Sequence, residues 1–157
     1  MAWNNNITIS ITIADILNLK EVKLAKIIDI EGIGQTYSQR LIEAGIKTTG
    51  KLLKMGATPK GREEIAQKTD ISSALILEWV NHADLYRIKG VAEEYSDLLE
   101  EAGVDTVPEL AQRNPENLYA KLQEVNKLKS LVRQLPSQKQ VADWVAQAKM
   151  LPRVIHY

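Results

Sequence analysis

Gly32-Ile33-Gly34-Gln35-Thr36 is the stretch of this chain best suited to chemistry, and the chemistry it suits is phosphate binding. Glycines on either side of one apolar residue let the backbone turn tightly while that residue plugs a core. The amides that open the next helix then point outward along the helix dipole, where an anion is favoured. Positive charge follows soon after. From Ile46 to Lys68, six cations (Lys47, Lys51, Lys54, Lys60, Arg62 and Lys68) stand against Glu63 and Glu64, a net of +4. Gly32, Ile33, Gly34, Gln35, Thr36, Lys47, Lys51 and Lys54 are therefore the candidate contacts to a nucleic-acid backbone. Two or three neutralised phosphates would give a salt slope of only about −2 to −3, so binding is expected to be weak. No residue pattern suggests base readout. The competing reading, in which the glycines are structural punctuation and the lysines a solvated face, stays open.

Other chemistries find less support. Gly45-Ile46-Lys47-Thr48-Thr49-Gly50-Lys51-Leu52 imitates a phosphate-binding P-loop as far as its lysine, then places Leu52 where a Ser or Thr must hold magnesium. His82 and His156 lie far apart and read as lacking a second ligand at helical metal spacing, so His82 is expected to be a surface or packing residue. Ser38 and Ser96 have no His-acid arrangement to activate them, and Glu100-Glu101 shows no apolar pocket to separate two carboxyl pKa values. With no cysteine, thiol chemistry and Cys-type zinc sites are excluded. The expectation is a non-enzymatic chain with no catalytic residue, metal ligand, cofactor or small-molecule substrate.

The elements that must position the turn come in two copies. Ile30 to Ser38 returns as Ile88 to Ser96, 58 positions on, and Leu41, Ala44, Gly45, Ile46, Thr48 and Leu52 meet Leu99, Ala102, Gly103, Val104, Thr106 and Leu110 in the same register. Trp79-Val80 and Ala83 match Trp144-Val145 and Ala148 at an offset of 65, which places seven extra residues between Pro115 and Trp144. A supersecondary unit of this size cannot bury its apolar face alone, so the copies are expected to pack on each other. Gly45 and Gly103 suit helix C-termini, Thr48 and Thr106 suit N-caps, and Thr58-Pro59 and Asn114-Pro115 suit further helix starts. Helical spacing puts Trp79 and Trp144 in the core.

The fold class expected is all-α: two helix-hairpin-helix repeats packed on each other, similar to SAM and hairpin domains, with a short N-terminal extended or β segment. The divisions are 1–24 for an N-terminal arm, 25–87 for the first repeat and 88–157 for the second. In the arm, Ile7, Ile9, Ile11 and Ile13 alternate with polar residues at strand period. A lone strand must pair, either with a second chain or partner or along its own helices. Twenty Lys+Arg balance twenty Asp+Glu, so no whole-molecule attraction to polyanions exists. No apolar run approaches a membrane span and no secretory leader is evident, so a cytoplasmic location with no membrane partner is expected.

The Gly-hydrophobic-Gly turn with Ser38 and Leu41 behind it resembles the helix-hairpin-helix motif of DNA repair and recombination proteins. Leu99-Glu100-Glu101-Ala102-Gly103-Val104-Asp105-Thr106 with Leu110 looks like the second half of hairpin domains in recombinases and in the RNA polymerase α C-terminal domain. From about residue 26 to 151 the tandem pattern resembles the uncharacterised DUF4332 family. The motif implies DNA-backbone binding, and the departures restrict it to the first copy. Thr36 and Glu94 stand where hairpin proteins often carry a phosphate-reaching lysine, and Ala92 replaces the closing glycine. From Glu93 to Glu109 the second copy holds seven acidic residues and no Lys or Arg. The function expected is weak, sequence-independent nucleic-acid binding through the first turn. The alternative is a protein-interaction or self-assembling scaffold, in which the basic face of one copy meets the acidic face of another or the N-terminal strand joins two chains.

Overall fold

The computed structural model describes residues 26–30 and 32–157, and these are mostly helical. A 3-10 turn at Ile27–Asp29 leads into eight α-helices: α1 Gly34–Glu43, α2 Thr49–Met55, α3 Pro59–Thr69, α4 Ser73–Leu85, α5 Glu93–Glu101, α6 Val107–Ala111, α7 Pro115–Lys129 and α8 Gln138–Met150. Among the described residues there is no strand, only a single antiparallel bridge between Lys26 and Thr48. The alternating isoleucines at 7–13 lie outside the described residues.

Local chemistry explains most of the helix boundaries. Side-chain oxygens of Thr48, Thr58, Ser72, Asn114 and Ser137 each accept an amide from the first turn of the helix they precede, at 3.0 to 3.2 Å. Ser137 also closes a reciprocal box with Gln140, whose Oε1 accepts the Ser137 amide at 2.8 Å. Pro59 and Pro115 occupy the first helical position, where no amide is needed. Gly45 and Gly103 follow α1 and α5 with φ of +87° and +89°, the left-handed geometry that favours glycine.

The helices fall into two quartets with matched packing. In the first, α4 lies against α2 and α3; in the second, α8 lies against α6 and α7. Tyr37 and Trp79 meet with ring centroids 5.3 Å apart at 54°, and Tyr95 and Trp144 repeat this at 5.2 Å and 52°. Both tryptophans are buried. Around one gather Ile33, Leu41, Ile46, Leu52 and Ile76. Around the other gather Val91, Leu99, Val104, Leu110 and Val141. The length difference between the copies is more finely divided than the sequence offset suggests. Helix α6 is two residues shorter than α2, while α7 is four residues longer than α3 and the segment leading to α8 is five residues longer than its counterpart.

Two features join the quartets besides the packing of α4 on α5. Asp84, with 0% exposure near the end of α4, accepts from Arg87 Nη1 through Oδ1 at 2.8 Å and from the Val107 amide through Oδ2 at 2.8 Å. That second bond caps α6. Thr106, which the sequence marks as the cap, makes no side-chain bond there; the first amide of the helix is held instead by a buried carboxylate from the other quartet. The second feature is the segment after α8, which returns to the first quartet. Ile155 is buried in the core around Trp79, the His156 amide donates to Ala57 O at 2.8 Å, and Arg62 Nη2 donates to His156 O at 2.9 Å. Arg87 Nη2 holds the start of this segment through Pro152 O at 2.7 Å.

Candidate functional site

The turn at Gly32–Gly34 is built as its residue types demand. Gly32 and Gly34 have φ of +84° and +65°, and Ile33 between them is buried in the first core. A Cβ added to either glycine would meet nothing within 4 Å, so their role is backbone geometry and the turn faces open space. Helix α1 then starts without a side-chain cap and without an acidic residue in its first turn. Its opening amides, from Gly34, Gln35 and Thr36, sit on exposed residues at the positive end of the helix dipole.

The bridge from Lys26 to Thr48, with the Ile27 amide donating to Lys47 O at 3.2 Å, ties the segment before the turn to the segment that enters α2. It brings the backbones of Lys26 and Lys47 together. Lys51 follows one turn into α2, its amide on Thr48 Oγ1, and Lys54 lies one turn beyond; Lys47, Lys51 and Lys54 are all exposed. Arg62, counted with this basic face on sequence grounds, is not part of it. Its guanidinium is buried, donating to Gly56 O at 2.9 Å as well as to His156 O, and it serves the tail. Lys26 is the residue the sequence reading passed over, for want of any sign that 26 and 48 would pair.

The equivalent turn in the second quartet is closed. A Cβ on Gly90 would come within 3.1 Å of Trp144 Nε1. Gln147, from α8, accepts the Lys89 amide at 2.9 Å and donates to Lys89 O at 3.1 Å. Ala92 enters α5 with φ of −125°, in extended geometry, and Glu93 and Glu94 fill the first turn with negative charge of their own. An outside anion would find both the dipole and the space already used.

A second cluster lies where α4 meets α5, and the sequence reading missed it. His82 is 4% exposed and its Nε2 stands 2.7 Å from Glu100 Oε2. Glu78 joins them, with one ligand atom from each of the three residues lying within 4.8 Å of the others. The group opens on a cavity of about 220 Å³ also lined by Asn81 and Asp105. His82 Nδ1 is buried with no hydrogen-bond partner among the described residues. Burial pushes the Glu100 carboxyl above the usual carboxylate range; the charges of Asp105 and Glu78 push the same way, and His82 pulls back. The signal was present in the sequence. Glu78 stands four residues before His82, one helical turn away on the same face, which corrects the expectation that His82 lacks a second ligand at helical spacing. Glu100 was invisible as a third member because only the packing of α5 on α4 delivers it.

No helix among the described residues is long and apolar enough to cross a membrane. No curated protein and no solved structure significantly matches the chain. The family model described as "Domain of unknown function (DUF4332)" matches residues 31–151, from the first turn to the end of α8. With that match covering well over half of its length, the chain belongs to the DUF4332 family.

Proposed function

We propose that this protein is a non-enzymatic module built from two helix-hairpin-helix units, and that it binds the phosphate backbone of nucleic acid weakly and without sequence preference through the first turn. The observation that carries the reading is the asymmetry of the two turns. The first has two left-handed glycines, an uncapped helix start and open space around its backbone. The second is covered by Trp144, tied by Gln147 and charged by Glu93 and Glu94. A pair of turns kept only as structural corners has no reason to diverge in this direction. Gly34, Gln35 and Thr36 supply amides to one phosphate, while Lys26, Lys47 and Lys51 supply long-range attraction to its neighbours.

With two or three phosphates neutralised, log affinity falls with log salt at a slope of about −2 to −3. Fluorescence anisotropy with a labelled DNA duplex at low ionic strength reads this directly. Binding is expected, indifferent to sequence, and Lys47→Glu with Lys51→Glu is expected to abolish it while Lys121→Glu on α7 leaves it intact. Absence of binding at low salt, or binding unmoved by the reversal at Lys47 and Lys51, defeats the proposal. Self-association across the acidic face of the second quartet would instead appear as a rise in solution mass at low salt.

A further inference from the structure

We propose that Glu78, His82 and Glu100 form a binding site for a divalent transition-metal ion, which links α4 to α5 and so fastens the two quartets together. The donor set is one imidazole and two carboxylates with ligand atoms within 4.8 Å of one another. Mixed nitrogen and oxygen ligands suit Zn²⁺ and its first-row neighbours, whereas Mg²⁺ and Ca²⁺ take oxygen alone. The surroundings are short of positive charge: Glu78, Glu100 and Asp105 line the cavity, and no Lys or Arg does. His82, 4% exposed and lining this cavity, turns its Nε2 toward Glu100 Oε2, so an imidazole nitrogen and a carboxylate oxygen already face each other there.

The geometry needs side-chain rotation only. Zinc ligands at about 2.0 to 2.2 Å from the ion stand roughly 3.4 Å apart in a tetrahedron. His82 Nε2 and Glu100 Oε2 are now 2.7 Å apart, drawn together by a hydrogen bond. An ion entering here replaces the shared proton and spreads that pair by less than about 1 Å, while the exposed Glu78 carboxylate swings in. The cavity of about 220 Å³ leaves room for water in the open coordination position.

The duplication supplies a comparison within the same chain. At the offset of 65 that relates the tryptophans, His82 corresponds to Gln147 and Glu78 to Asp143. Gln147 spends its amide on the Lys89 backbone and on Asp143 Oδ2 at 2.9 Å. The second copy therefore has an amide with backbone partners where the first has a buried imidazole facing a carboxylate.

Untagged protein stripped of metal by chelator and then titrated calorimetrically with Zn²⁺, with Mg²⁺ as the comparison ion, tests the site. One saturable Zn²⁺ site per chain is expected, with no comparable Mg²⁺ site. His82→Gln should remove it. Glu78→Gln should weaken it by at least about tenfold, the lower end of what losing even an indirect metal partner costs. Because Glu78 is exposed, that variant retains its fold, and circular dichroism verifies this. Zn²⁺ is also expected to raise the thermal midpoint of the parent protein by more than that of the Glu78 variant at the same concentration. No saturable site, equal affinity for Mg²⁺, or a Glu78→Gln variant that binds Zn²⁺ as the parent does would overturn the proposal.

Discussion

Helix α6 offers the sharpest test of how the quartets are joined, because its first amide is held by a residue of the other quartet while its own N-cap residue makes no side-chain bond. Thr106 has the sequence position and Asp84 has the bond, at 2.8 Å to the Val107 amide. Asp84 also pairs with Arg87 at 2.8 Å and has no exposed surface. Asp84→Ala leaves the buried Val107 amide without an acceptor and the Arg87 guanidinium with Pro152 O alone, a loss of about 3 kcal/mol, the lower end for breaking a buried pair. Asp84→Asn keeps an oxygen for Val107 but not the charge, and should cost about 2 kcal/mol, the worth of a charge-assisted bond. Thr48→Val removes a working cap and should cost about 1 kcal/mol. Thr106→Val keeps the shape of a buried side chain that caps nothing, so it should cost less than Thr48→Val. Urea unfolding followed by tryptophan fluorescence ranks the four through their midpoints at a common slope. The reasoning fails if Thr106→Val costs as much as Thr48→Val, or if Asp84→Ala costs less than about 1 kcal/mol.

Removing residues 153–157 strips Ile155 from the first core and leaves Arg62 with one acceptor; burial of Ile155 alone implies a loss of at least about 2 kcal/mol, and an unchanged urea midpoint would refute the tail's role. Burial pushes the Tyr86 phenol up to about 12, with smaller contributions from nearby acids, while its hydroxyl donates to Asp29 O at 3.2 Å. The protonated form is favoured by folding, so this stabilisation is complete below the ordinary phenol value of 10.0 and is lost as pH rises through about 12. Ultraviolet titration of the folded protein should show a last tyrosine step, above that of Tyr157, whose phenol burial also raises, and Tyr86→Phe should remove that last step; five tyrosines titrating together in the ordinary range would contradict it.

Periodicity and punctuation were legible wherever the cause was local. The five capping residues act on amides three positions away, and Gly32, Gly45 and Gly103 meet backbone requirements set by their immediate neighbours, so sequence spacing alone announces them. Trp79 and Trp144 were legible for a different reason: duplication prints the same helical stripe twice. Whatever depends on two distant segments meeting was hidden. Asp84 caps a helix 23 positions downstream. Arg62 reads as one more surface cation until the returning tail gives it a carbonyl. Glu100 reads as half of an acidic doublet until α5 lies against His82. The candidate phosphate site shows the same division, since its glycines declare themselves while Lys26 joins only through the bridge to Thr48.

The return of Ile155 to the first quartet alters how this duplicated chain must reach its native state. A tandem repeat is ordinarily free to fold copy by copy, in the order of synthesis, with each unit stable before the next arrives. Here the core around Leu41 and Trp79 stays short of one buried side chain until the whole second quartet has been laid down and its trailing segment has crossed back. The earlier copy is the later one to close. That long-range closure raises the contact order of what would otherwise be a local helical fold, and it ties the trailing segment of the second copy to the core of the first.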